Sequence, residues 1–147
     1  MELGELLSEN AVFIDSPVSS KAEAIELMVS VLGKEGRIKN TEKFKRAVLS
    51  RESEMATDVF EGISLPHARS AEVTKPSIAA VKLKDGLDNA QPDGAPIRLI
   101  FLVASPENSK EHLKALSSLS SALLNEETLN ALKKAATADE FAALLLG

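Results

Sequence analysis

The chain has 147 residues, 44% of them apolar and 27% charged, the composition of a globular domain large enough to bury a core. Its 17 basic and 22 acidic residues leave a net charge of −5 with no basic run, which argues against a nucleic-acid partner. Without cysteine it offers no disulfide, no thiolate nucleophile and no thiolate metal site.

The stretch Met1-Glu2-Leu3-Gly4-Glu5 lacks the basic start and long apolar core of a signal peptide, and no apolar run reaches transmembrane length. A soluble cytoplasmic domain without a membrane span is expected, with residues 1–147 as one unit. Leu3, Leu6 and Leu7 predict a short opening helix, and Val12-Phe13-Ile14 a first strand ended by Pro17. Ser20-Lys21-Ala22-Glu23 has capping-box spacing, and Ile25, Met28, Val29 and Leu32 follow at helical intervals. Gly33 and Gly36 are read as its stop.

Asn40 or Thr41 caps a second helix whose inward stripe is Phe44, Ala47, Val48 and then Arg51. Two readings of Arg51 follow. It either snorkels to water from a fraying helix end or points inward to pair with an anion, and on periodicity alone the first is the commoner. Glu52–Glu61 shows no clean period and is read as a helix end and loop.

Next comes Gly62-Ile63-Ser64-Leu65-Pro66-His67-Ala68-Arg69, with one of only two histidines in the chain. Pro66 fixes its own φ and holds Leu65 extended. Ile63, Leu65 and His67 then project to one side, with Ser64 and Pro66 on the other. Ile78–Leu83 predicts a strand, Lys84-Asp85-Gly86 a turn, and Pro92-Asp93-Gly94-Ala95-Pro96 the strongest turn of the chain. Ile97–Ala104 is apolar at nearly every position, as a strand covered on both faces would be, and Ser105-Pro106 is read as its end.

A long helix from Asn108 or Ser109 to about Leu124 places His112, Leu116, Leu119 and Leu123 on one face. His112 therefore looks inward, and a buried histidine bonded to a carbonyl is commoner than a catalytic one. Asn125 caps a further helix through Leu129 and Leu132. Thr137-Ala138-Asp139-Glu140 repeats the capping-box spacing before Phe141, Leu144 and Leu145. Strands interleaved with helices predict an α/β fold, a three-layer α/β/α sandwich with a mixed β-sheet.

Phosphate-loop and dinucleotide glycine patterns are absent, and Ser64 lacks the closing glycine of a nucleophile elbow. A metal site would need His67, His112 and a carboxylate to converge without any H-x-x-x-H spacing, so neither metal nor cofactor is expected. What remains is His67, His112 and Arg51 directed at one place, a set suited to phosphoryl transfer through a phosphohistidine. One imidazole nitrogen attacks phosphorus while the other is held by a hydrogen bond that fixes the tautomer. A guanidinium fork suits the phosphate oxygens, and a second imidazole adds a donor.

Arg51-Glu52, Met55-Ala56-Thr57 and Gly62-Ile63-Ser64-Leu65-Pro66-His67-Ala68 closely resemble the signature of the fructose/mannitol-type enzyme IIA family of the bacterial phosphoenolpyruvate:sugar phosphotransferase system. Asp93-Gly94, Phe101-Leu102-Val103 and His112-Leu113 extend the likeness over essentially the whole chain. The resemblance implies a phosphotransferase component with His67 as the phosphorylated histidine, Arg51 as the phosphate-supporting arginine and His112 as the second active-site histidine. Thr57 adds a candidate hydroxyl donor. It also implies HPr as phosphate donor and a separate IIB component as acceptor. Nitrogen-branch relatives use the same domain as a regulatory module, which is the alternative function. The chain departs from the family at Asp58, where glycine is common, at Phe60, and at Ser64, where alanine is frequent. A carboxylate at 58 near a phosphorylated histidine would disfavour the dianion unless it points away.

Overall fold

A computed structural model of the chain describes residues 3–59, 62–90, 94–107 and 110–146. Six helices and six strands are described, beginning with α1 (Leu3–Leu6), β1 (Leu7–Ser16), α2 (Lys21–Lys34) and α3 (Thr41–Glu54). Three short strands follow, β2 (Asp58–Val59), β3 (Ile63–Ser64) and β4 (His67–Ser70), then the long β5 (Ser77–Leu87) and β6 (Ile97–Pro106). The chain closes with α4 (Glu111–Leu124), α5 (Glu126–Lys134) and α6 (Ala138–Leu146).

The expected mixed sheet is present, in the order β1-β5-β6-β3-β2, with β4 also on β6. β5 and β6 run antiparallel, while β1 on β5 and β3 and β4 on β6 are parallel. Ile78, Ala80, Leu99, Phe101 and Val103 face one core with Leu119, Leu132, Phe141 and Leu145. Alternate residues Ala79, Val81, Ile100, Leu102 and Ala104 face a second core with Ile25, Met28, Leu32, Phe44 and Val48. α2 and α3 therefore cover one face of the sheet and α4, α5 and α6 the other, which makes three layers.

Local signals locate the helix starts. Ser20 Oγ accepts from the Glu23 N–H, Asn40 Oδ1 from Lys43 and Asn125 Oδ1 from Thr128, so each side chain satisfies an N–H that has no partner inside its helix. Thr137 does the same for Glu140.

Several expectations are corrected. Leu7 belongs to β1, not to the opening helix, and α3 runs on through Glu52 and Ser53 to Glu54. Lys84-Asp85-Gly86 is no turn; β5 continues through it, and a register shift between Lys82 and Leu87 takes up the irregularity. Ser105 and Pro106 are the last residues of β6, paired with Arg69 and Ser70, and do not stop it. Gly33 lies inside α2, where a Cβ would come 2.3 Å from the Thr41 methyl; it permits the close packing of α3. Gly36, with φ at +76°, supplies the left-handed turn after the helix. Phe60, the Pro92-Asp93 part of the turn and the helix start at Asn108 or Ser109 lie outside the described residues.

Gly62 sets up the strand that carries the histidine. Its φ is +79°, a Cβ there would sit 2.6 Å from the Pro96 carbonyl oxygen, and its own carbonyl accepts from the Arg98 and Leu99 N–H groups. Gly62→Ala is expected to cost about 2 kcal/mol from strain and that close approach. Urea unfolding with an unchanged slope and a lower midpoint is the readout.

Candidate functional site

β3 and β4 are two parts of one extended segment. Ile63 lies opposite Leu99, Ser64 opposite Ile100, His67 opposite Val103 and Ser70 opposite Pro106, a constant offset of 36. The intervening Leu65-Pro66 stays attached, with Pro66 O accepting from Val103 N at 3.0 Å and Leu65 N donating to Thr57 O at 3.2 Å. Ile63 and Leu65 pack into the core beneath α4, and His67 follows on that side, as alternation requires; Ala68 packs into the opposite core.

The His67 ring folds back so that Nδ1 lies 2.7 Å from the Leu65 carbonyl oxygen. A carbonyl oxygen only accepts, so Nδ1 carries the proton and Nε2 keeps a free lone pair. His112 stands in the first turn of α4, 6% exposed, with its ring centroid 5.3 Å from that of His67 and the planes at 47°. Its Nδ1 is 2.9 Å from Oγ of Ser105, a fully buried residue near the end of β6. Burial, with the charges of His67 and Arg69 adding to it, lowers the His112 pKa to about 4, so this imidazole is neutral at pH 7.

Arg51 reaches the same place from α3. With His67 and His112 it lines a cleft of about 470 Å³ that Ser50, Glu54 and Arg69 also border. The Arg51 Nη1 donates to Met55 O at 2.8 Å, which closes the helix end and leaves further guanidinium donors. A groove of about 400 Å³ between α2 and α3 is lined by Lys45 and by Glu26 and Glu42, both of which pair with it, and by neither histidine.

Thr57 stands apart from the cleft. Its hydroxyl and its N–H both donate to Glu52. Asp58, the departure in the sequence, is 4% exposed and does not line the cleft that holds the histidines. It binds Lys21 Nζ at 2.5 Å and accepts from the Ala90 N–H at 3.0 Å, while Lys21 also pairs with Glu52 at 3.0 Å. Burial by itself would raise the Asp58 pKa, but the bonds from Lys21 and Ala90 outweigh it and hold the carboxyl below its ordinary range.

Arg69 was missed in the sequence, although the signal was there. It lies two residues beyond His67 in the same strand, hence on the same face, and exposed at the cleft border. Among the described residues no three His, Asp or Glu side chains converge as a metal site, and no helix is long and apolar enough to cross a membrane. The assembled site offers a free imidazole lone pair, a neutral second imidazole and two guanidinium groups around a small open cleft. That equipment suits a tetrahedral dianion delivered to nitrogen.

Comparisons with known proteins identify the family. The chain is 39% identical over 140 residues to the PTS system fructose-specific EIIABC component of Bacillus subtilis (strain 168), covering 95% of this chain and 22% of that protein's length. The fold matches the crystal structure of nitrogen regulatory protein IIA-Ntr from Neisseria meningitidis with a TM-score of 0.86, at 29% identity and 97% coverage of both chains. It also matches enzyme IIAMTL of Escherichia coli, solved in complex with phosphorylated enzyme IIBMTL, with a TM-score of 0.81, 25% identity and coverage of 95% and 98%. Residues 5–147 match the family model described as phosphoenolpyruvate-dependent sugar phosphotransferase system, EIIA 2, and the chain belongs to that family.

Proposed function

We propose that the chain is a phosphocarrier, a single IIA domain over residues 1–147 that works in the cytoplasm without a cofactor. His67 accepts a phosphoryl group from the phosphohistidine of HPr and passes it to a IIB component for sugar uptake. The observation that carries this reading is the His67 ring, anchored at Nδ1 by the Leu65 carbonyl 2.7 Å away and facing His112.

The Nε2 lone pair attacks phosphorus, the donor's P–N bond breaks, and its electron pair returns to the donor nitrogen. The His67 proton stays on Nδ1. As Nε2 becomes phosphorylated the ring takes up positive charge, and the Leu65 carbonyl dipole stabilises it there. A protonated ring is also a good leaving group, so the same hydrogen bond favours release to the acceptor. Arg51 and the neutral His112 supply donors to oxygens whose charge is spread in the transition state.

The test is incubation with phosphoenolpyruvate, enzyme I and HPr, followed by mass spectrometry under conditions that preserve acid-labile phosphohistidine. A mass gain of one phosphate mapped to His67 supports the reading; a folded sample that stays unmodified beside active HPr counts against it. Arg51→Ala is expected to remain folded and to take up phosphate roughly 100-fold more slowly.

A second reading follows from the likeness to IIA-Ntr: a regulatory module whose phosphorylation at His67 controls binding to other proteins. Transfer of phosphate from His67 to a IIB protein encoded nearby favours the carrier. Phosphorylation without such transfer, beside neighbouring nitrogen-regulation genes, favours the regulator.

A further inference from the structure

Ser105 is fully buried at the end of β6, and among the described residues its hydroxyl makes one hydrogen bond, to Nδ1 of His112 at 2.9 Å. A hydroxyl has one proton to place and a neutral imidazole has one nitrogen of each kind, so the direction of this bond decides the tautomer of His112. If His112 donated from Nδ1, the buried Ser105 proton would have no acceptor among the described residues, which costs more than leaving a hydroxyl lone pair unused. The bond therefore runs from Ser105 Oγ to His112 Nδ1.

We propose that Ser105 is a positioning residue that fixes His112 as the Nε2–H tautomer, so that the cleft receives a neutral hydrogen-bond donor beside the attacking nitrogen of His67. The two histidines are then held in opposite tautomers by opposite partners. At His67 an acceptor, the Leu65 carbonyl, forces the proton onto Nδ1 and bares Nε2. At His112 a donor, the Ser105 hydroxyl, forces the proton onto Nε2.

The low pKa of His112, about 4, accords with a ring kept neutral by burial. Around it stand His67 and Arg69 from β4, Arg51 and Glu54 from α3, and Lys110 and Lys114 beside it in the chain. A neutral donor has a specific advantage at this place. It binds a phosphoryl oxygen without competing for the proton of a second cationic ring, and it cannot itself attack phosphorus through a nitrogen that already carries hydrogen.

The inference rests on the phosphocarrier reading for its consequence but not for its chemistry, and two measurements separate them. The first uses the unmodified protein labelled with 15N, whose imidazole nitrogen correlations at pH 7 distinguish the two neutral tautomers. His112 is expected as Nε2–H with a bare Nδ1, and His67 as the reverse. The second compares phosphate uptake from phospho-HPr. Ser105→Ala is expected to slow uptake about tenfold, the scale of lost support behind a directly acting side chain, with an unchanged KM for the donor. Ser105→Thr keeps the hydroxyl and is expected to restore most of the rate.

An Nδ1–H signal for His112 in the unmodified protein overturns the assignment whatever the rates. So does Ser105→Ala that is phosphorylated as fast as wild type. Failure of the wild-type chain to take up any phosphate would instead strike the phosphocarrier reading, and the tautomer spectrum would still decide the Ser105 bond.

Discussion

His67→Ala is expected to take up no phosphate from phospho-HPr while unfolding within about 2 °C of wild type. The ring is only partly buried and its one hydrogen bond among the described residues goes to the Leu65 carbonyl, which can turn to water in the open cleft once the imidazole is gone. The strand itself is held by main-chain bonds that the substitution leaves in place, from Val103 N to Pro66 O and along the pairing of Ala68 to Ser70 with β6. Chemistry has no second nucleophile to fall back on. His112 is 6% exposed and has its Nδ1 engaged by Ser105. Intact-mass analysis after incubation with the donor system reads the result directly. A phosphate on His112 in the folded variant would sink the assignment of roles between the two rings.

The second large effect concerns stability. Lys21→Met is expected to destabilise the fold by about 2–3 kcal/mol at pH 7. Lys21 bridges Glu52 and Asp58, whose side chains are only 9% and 2% exposed, and its loss strands two carboxylates where water reaches poorly. Breaking a buried pair costs about 3–5 kcal/mol, and the partial exposure of Lys21, at 23%, brings the figure down. The pH dependence has a definite sign. The folded-state pKa of Asp58 lies below its ordinary value of 3.8, so its contribution is complete above that value and is lost as pH falls through the folded pKa. Burial lowers the Lys21 pKa, but the bonds to Asp58 and Glu52 raise it above 10.5 overall, so its contribution persists to alkaline pH and fades as pH rises through the folded pKa. In the variant Asp58 loses its cationic partner and titrates upward. The gap between the two proteins should therefore be widest at neutral pH and narrow below about pH 4, which urea unfolding at several pH values checks.

Where the controlling physics is local, the sequence could be read closely. Helix starts at Ser20, Asn40 and Asn125 depend on a side chain and an N–H three residues away, and all three lie where spacing predicts. The pleat likewise puts Ile63, Leu65 and His67 on one side. Pairing between distant segments was less legible. Lys84-Asp85-Gly86 has turn composition, yet it is drawn into β5 beside β6, and the two-residue β2 exists only because β3 lies beside it.

The site shows the same division. Arg51 and His112 sit on helices that cover opposite faces of the sheet, and no periodicity can reveal that both meet His67 at one cleft. The roles expected of them rest on the ordered motif and not on spacing. Thr57 illustrates the converse: its hydroxyl suits a phosphate, but Glu52 takes its proton five residues away. Asp58 was a concern as an added negative charge, and Lys21, 37 residues earlier, answers it.

His67 in β4 and His112 in α4 are both tied to β6. One is strung alongside Val103 through the strand ladder, and the other hangs from Ser105, two residues further on. Two positions so near on one strand keep their spacing as long as the sheet is intact. The spacing of the two rings is thereby referred to one strand, as work is held in a jig. In the proposed carrier, that fixed spacing would offer the phosphoryl group the same neighbours at loading and at unloading.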